Sequence, residues 1–291
     1  MRTLAPPVPP ETAPAEAAAR PGEARRRFRR PPSTATLLGL ALALIVWILE
    51  LRPLIDNSFL IHLRTGHWIL DHGAIPGQDI YSYTAPDAPW IVQSWLASVV
   101  YAAIDSAVGP FGLQVLRAAT CALITFLVFR LSLRLVGDRT RATLLAFAAT
   151  AMSITVWAER PLLQGVLAMV VLIWIVEMPD SPVGRHPLVV VPPLMWLWAN
   201  FHGTFALGFA YLALHLAGRW LDGAAPWQAR ERVLLTATGV ALLASMVNPL
   251  GLSLLTFPVE LLSRGDTLAH IREWRSPDFH SVMGMLFALW I

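Results

Sequence analysis

The sequence predicts an all-α integral membrane protein, a multi-span helical bundle with a long first extracytoplasmic loop. Composition and hydropathy patterning predict the class. Hydrophobic residues make up 56% of the 291 residues and charged residues only 14%, with a mean hydropathy of +0.56. Apolar runs approaching the ~20 residues of a bilayer crossing recur from residue 34 onward. One polar and aromatic stretch, from Asp56 to Trp95, interrupts them, so chemistry is sought there. The topological type rests on a family resemblance described below.

Residues 1–33 are rich in Pro, Ala and Arg without hydrophobic periodicity, the composition of a disordered tail. The net charge of +3 comes from arginine alone, since the chain has no lysine. Much of the surplus sits at Arg25 to Arg30, a cytoplasmic anchor against anionic lipid and not a nucleic-acid surface. The first span follows at about Thr34 to Leu49. No small-residue cleavage site comes after it, which argues for a retained span rather than a signal peptide.

The loop of about 50–94 has two halves. In the first, Asp56 or Ser58 can cap a helix on which Leu60, Leu63, His67 and Leu70 recur at helical spacing, lying along the membrane interface. In the second, Gly73, Pro76, Gly77, Pro86 and Pro89 break any helix, and Ile80 to Thr84 alternates like a short extended piece. Trp95 to Val108 is apolar but short. If it crosses, the Arg130 to Arg141 link falls outside; if it stays at the outer surface, the span at about Leu113 to Val136 runs inward and the Arg-rich links are cytoplasmic. The second reading is favoured.

Further spans are expected at about Ala142 to Trp157, Leu162 to Met178, Leu188 to Trp198, Phe205 to Leu221 and Val233 to Val247. Pro192 and Pro193 are expected to break the third of these. The run from Val282 stops in mid-span, as in a chain cut short, so residues 34–291 read as one transmembrane domain with a truncated C-terminus. Cys121, the single cysteine, excludes an internal disulfide and reads as a small packed hydrophobe.

Several polar residues carry candidate chemistry. Asp56 can act as a general base or metal ligand, or only cap a helix. Arg117 and Arg160 suit a phosphate through the always-charged, bidentate guanidinium; Arg160 can equally be buried with a carboxylate. His62, Arg64, His67 and His72 have no spacing that joins them in a metal cluster and read as interfacial residues.

The pattern at Asp56, His62, Leu63, Thr65, Gly66, Ile69, Leu70, Gly73, Ile75, Pro76, Asp79, Ser82 and Thr84, then Pro89, Trp90, Trp95 and Leu96, resembles a known family. It is similar to the bacterial membrane glycosyltransferases of GT-C type, distant relatives of lipid A aminoarabinose transferases and protein O-mannosyltransferases. Asn200-Phe-His-Gly203 and Glu273-Trp-Arg-Ser-Pro-Asp-Phe279 resemble further motifs of that family. The resemblance implies an inverting enzyme of the inner membrane, multi-pass with its N-terminus cytoplasmic. It would move a sugar from a polyprenyl-phosphate carrier to an extracytoplasmic acceptor, with Asp56 inheriting the catalytic acid.

His202 would bond a sugar hydroxyl or a divalent metal, with Asn200, Glu273 and Asp278 as substrate or metal candidates; metal identity and cofactor are otherwise unknown. The implied partners are membrane lipid and the lipid-linked sugar. Two departures from the family pattern stand out: Ser58 stands where many relatives carry a second acid, and Gln93 and Ser94 where they carry a His-Glu pair. These departures carry the alternative, a non-catalytic relative that binds lipid or scaffolds an envelope assembly.

Overall fold

The computed structural model describes residues 32–154, 157–223, 228–263, 265 and 278–290. Chain contacts separate residues 1–33 from 34–291, and the architecture below is that of the second unit. Proline and glycine set many of its boundaries. Helices α4 (Pro110–Val136), α6 (Pro161–Glu177) and α7 (Pro187–Phe201) each begin on a proline, whose missing N–H would have had no helical partner there. Helix α2 (Phe59–His72) and α4 end at Gly73 and Gly137, with φ of 63° and 72°, a left-handed conformation that glycine adopts without strain. Helix α5 (Arg139–Ser153) starts at Asp138, whose carboxylate accepts the Arg141 N–H at 2.8 Å.

The remaining helices are α1 (Thr34–Glu50), α3 (Trp95–Val108), α8 (Phe205–Leu221), α9 (Ala229–Ser245), α10 (Phe257–Ser263) and α11 (Val282–Trp290), with a 3₁₀ turn at Gly251–Leu254. The fold is all-α; among the described residues extended pairing is limited to one antiparallel bridge, Gln78 with Pro89. That bridge is what forms near the expected extended piece at Ile80 to Thr84.

The packing register alternates the chain direction. Val46 near the end of α1 meets Cys121 and Ile124 of α4, while Gly39 near its start lies against the rings of Phe126 and Phe129. Phe129 in turn packs on Ala142 and Ala146 of α5, and Thr125 lies 3.3 Å from Thr150. Leu172 and Ile175 of α6 share the main core with Val191 and Met195 of α7, whereas Gly165 at the opposite end of α6 faces Trp198. Gly208 near the start of α8 also faces Trp198 and Met195, so α8 runs back along α7. The ends of α1, α5, α7 and α9 therefore gather with the starts of α4, α6 and α8. Arg134, Arg139, Arg141, Arg185, Arg219, Arg230 and Arg232 lie toward the opposite end.

Helices α2 and α3 join the first end. A Cβ on Gly66 would collide with the carbonyl of Ser98, so only glycine permits this approach. The contact rotates α2 away from the expected stripe: Phe59, Thr65, Gly66 and Ile69 are buried, while Leu60 and Leu70 are 53% and 49% exposed.

One sequence expectation needs correction, and the expected multi-span bundle is met only in its all-α class. Helix α7 continues through Pro192 and Pro193, because Val191, Met195 and Trp198 are held in the core and hold the helix together across the missing backbone donors. Among the described residues only α4 is both long and apolar enough to cross a membrane; α1, α3, α6, α7 and α8 are apolar but shorter. Caps and prolines end these helices early, so multi-pass topology does not follow from helix length.

Candidate functional site

Six charged side chains converge where α1 ends, α4 begins and the 157–160 segment enters α6. Arg117 is 2% exposed. Its Nε and Nη2 donate to the Glu50 carbonyl at 3.2 and 2.7 Å, and Nη2 also donates to the Arg52 carbonyl. Its guanidinium is ion-paired with Glu50, Nε to Oε2 at 3.3 Å, and through Nη1 with Glu159. The terminal carbonyl of α1 lacks a helical donor, and Arg117 supplies one. Arg52 bonds Glu50 Oε2 at 3.3 Å and the Trp157 carbonyl at 3.1 Å.

Beside this group, the Asp56 carboxylate is ion-paired through Oδ2 with Arg160 Nε and accepts the Ser58 N–H on Oδ1 at 2.8 Å. Burial pushes this carboxyl up, but hydrogen bonds from Arg160 and Ser58 and the charge of Arg160 outweigh it and hold Asp56 below its usual value. It is ionised at neutral pH. Three carboxylates thus face three guanidiniums, which balances the cluster. The two pairs cross the sequence order: Glu159 goes to Arg117, and its neighbour Arg160 goes to Asp56.

One imidazole, His62, lies close to Arg160, and a second, His202, lies close to His62. The Ser98 hydroxyl donates to the Ser94 carbonyl at 3.1 Å, so its contact with His62 Nδ1 at 3.3 Å assigns the ring proton to Nδ1 and a lone pair to Nε2. His202 has the opposite tautomer, because its Nδ1 accepts the Thr204 N–H at 3.2 Å, leaving the proton on Nε2. Burial, followed by the charge of Arg160, pushes His62 down to about 4. Burial and then the charge of His62 push His202 down to about 4 as well. Both rings are neutral at pH 7, one presenting an acceptor and the other a donor.

Asn200 holds the segment that carries His202. It is fully buried, and its Oδ1 accepts from the Trp95 indole at 2.7 Å and from Asn248 at 3.0 Å. Its amide donates to the Trp196 carbonyl at 2.8 Å and the Val247 carbonyl at 3.4 Å. All the hydrogen-bonding capacity of this side chain is used inside the protein. Gln93 adds a tether by donating to the Ala199 carbonyl at 2.8 Å.

The structure thus brings together Asp56, Arg160 and Arg117, with His202 nearby through His62. Asn200 sits behind His202 as a support. Asp278 is exposed, accepts the His280 N–H at 3.0 Å and has no contact with Asp56. Glu273 lies outside the described residues. Among those residues no group of three His, Cys, Asp or Glu side chains is arranged to hold a metal ion.

Sequence reasoning passed over Glu50 and Arg52, named Gln93 only as a departure from the family pattern, and read His62 as an interfacial residue. Glu50 carried a usable signal, since a carboxylate ending an apolar span needs a partner. Comparison with protein families, curated proteins and solved structures yields no match to this chain.

Proposed function

We propose that the chain is a multi-span membrane glycosyltransferase of GT-C type that moves a sugar from a polyprenyl-phosphate donor to an extracytoplasmic acceptor. The observation that carries this reading is the Asp56–Arg160 pair, set beside two neutral imidazoles at the end where α1, α4 and α6 converge. Arginine asymmetry supports the orientation: the opposite end holds Arg139, Arg141, Arg230 and Arg232, as a cytoplasmic face would. Large apolar side chains exposed along α1 (Leu37, Leu40, Leu44 and Ile48) and α8 (Leu207 and Leu214) suit lipid contact. Helices of 17 residues stand at the short limit for a crossing of ~17–25.

In this reading Arg160 and Arg52, whose side chains are 35% and 33% exposed, receive the donor phosphate. Arg117 is committed to Glu50 and Glu159 and fixes the frame. When phosphate engages Arg160, the Asp56 carboxylate is released to take the proton of the acceptor hydroxyl. The acceptor oxygen then forms its bond to the anomeric carbon as the carbon–oxygen bond to phosphate breaks, and the polyprenyl phosphate leaves with the electron pair.

A second reading, a lipid-binding or scaffolding protein of the envelope, is favoured by one observation: both Asp56 oxygens already have protein partners. Profiling lipid-linked sugars in cells with and without the full-length protein separates the two. A glycosyltransferase leaves its donor accumulated in the deletion strain, and Asp56→Asn reproduces that accumulation. A wild-type profile in cells carrying Asp56→Asn overturns the enzyme reading.

A further inference from the structure

A cavity of about 250 Å³ lies between the 89–91 segment and α10, lined by Pro89, Trp90, Ile91, Phe257, Glu260 and Leu261. Trp90 is held in place from several directions. Its N–H donates to the Gly77 carbonyl at 3.0 Å, the Gln78–Pro89 bridge lies beside it, and its ring meets Tyr81 edge-on at 5.3 Å. The Tyr81 hydroxyl is tied to Thr65 of α2 at 3.0 Å. Across the cavity, Glu260 Oε1 accepts the Thr256 hydroxyl at 2.6 Å, and its second oxygen has no hydrogen-bond partner among the described residues. The cavity borders the candidate site, since a Cβ on Gly203, next to His202, would lie 3.6 Å from the Phe257 ring and 3.9 Å from Gln93 Oε1.

We propose that this cavity is a carbohydrate subsite that seats one pyranose ring of the acceptor, with Trp90 and Phe257 as its aromatic walls and Glu260 as its hydroxyl acceptor. The chemistry selects the ligand. A pyranose has an apolar C–H face that packs on an aromatic ring, whose face is electron-rich, and a rim of hydroxyls that donate to a carboxylate. A lipid tail would leave Glu260 unpaired, at the cost of an unsatisfied polar group. A phosphate would meet a carboxylate with no arginine among the described lining residues. The volume is below the ~300–1,000 Å³ of sites for drug-sized ligands, which limits the occupant to about one ring. The assignment to the acceptor rests on the glycosyl-transfer reading; the sugar binding does not.

The test is saturation-transfer NMR on the full chain in detergent, with methyl glucopyranoside, methyl mannopyranoside and methyl galactopyranoside as probes and tetramethylammonium as the cationic comparison. The expected result is transfer to ring C–H protons of at least one glycoside. Trp90→Ala should weaken that binding about two- to tenfold, the range of a lost aromatic contact. Glu260→Gln, a change of the same shape at an exposed position, should weaken it too and provides a second reading if Trp90→Ala does not fold. Transfer to no glycoside, transfer to tetramethylammonium alone, or glycoside binding unaltered in Glu260→Gln overturns the proposal. Because the readout is binding, its failure leaves the Asp56→Asn cell result standing, and failure of that result leaves glycoside binding standing.

Discussion

The Trp95 indole N–H donates to Asn200 Oδ1 at 2.7 Å and ties the first residue of α3 to the last turn of α7, across 105 residues of sequence. The loop that bears Asp56 and the motif that bears His202 are joined through α3 by this bond. Asn200→Ala should strand the Trp95 and Asn248 donors and cost about 1–3 kcal/mol of stability in denaturant unfolding. Asn200→Asp should destabilise as well, because it sets a carboxylate against the Trp196 and Val247 carbonyls. Wild-type stability in both variants would return Asn200 to the list of substrate ligands.

Arg117 and Arg160 should fail in different assays. Arg117→Met leaves Glu159 buried without its cation and Glu50 with Arg52 alone, so a loss of about 3–5 kcal/mol is expected. Arg117→Lys should recover little, since a point charge cannot serve two carboxylates and two carbonyls at once. Arg160→Lys should fold normally and bind polyprenyl phosphate more weakly. Binding by Arg160→Lys equal to wild type, measured on vesicles containing polyprenyl phosphate, would remove Arg160 from phosphate recognition.

Acid should weaken the fold in two stages. His62 and His202 are held at about 4, against about 6.5 in an unfolded chain. Between those values the unfolded chain binds protons that the folded one refuses, so stability is present above pH 6.5 and falls as pH drops toward 4. Asp56 is shifted down, so its contribution is present above the ordinary carboxylate range and is lost as pH falls through its folded value. Thermal melting across pH 7 to 4 should show a decline that the double variant His62→Gln, His202→Gln flattens. An unaltered slope in that variant would place the acid sensitivity elsewhere.

The orientation is testable by labelling. Cys121 is fully buried, so single cysteines at exposed Thr84 and Thr140 should report without background from it. An impermeant thiol reagent should reach Thr84→Cys in intact cells and Thr140→Cys only after permeabilisation. Labelling of Thr140→Cys from outside would overturn the proposed orientation and restore a crossing by Trp95 to Val108.

Helix formation and stops were legible in the chain because they depend on neighbours a few residues away: proline at the first position of α4 and α6, glycine after α2 and α4, apolar runs between them. The Asp56 loop stood out too, as the one polar interruption of an apolar sequence. Partnership was not. Arg160 could have taken adjacent Glu159 or distant Asp56, and Arg117 a ligand or a protein carboxylate; only the antiparallel register of α1 and α4, set by Val46 on Cys121 and Gly39 on Phe129, brings Glu50 within reach of Arg117. His62 and His202 likewise become neighbours only because Gly66 lets α2 approach α3 and Asn200 binds α3 to α7. Spacing along the chain governs local hydrogen bonds, but which charges share a buried site is decided by close packing between helices far apart in sequence.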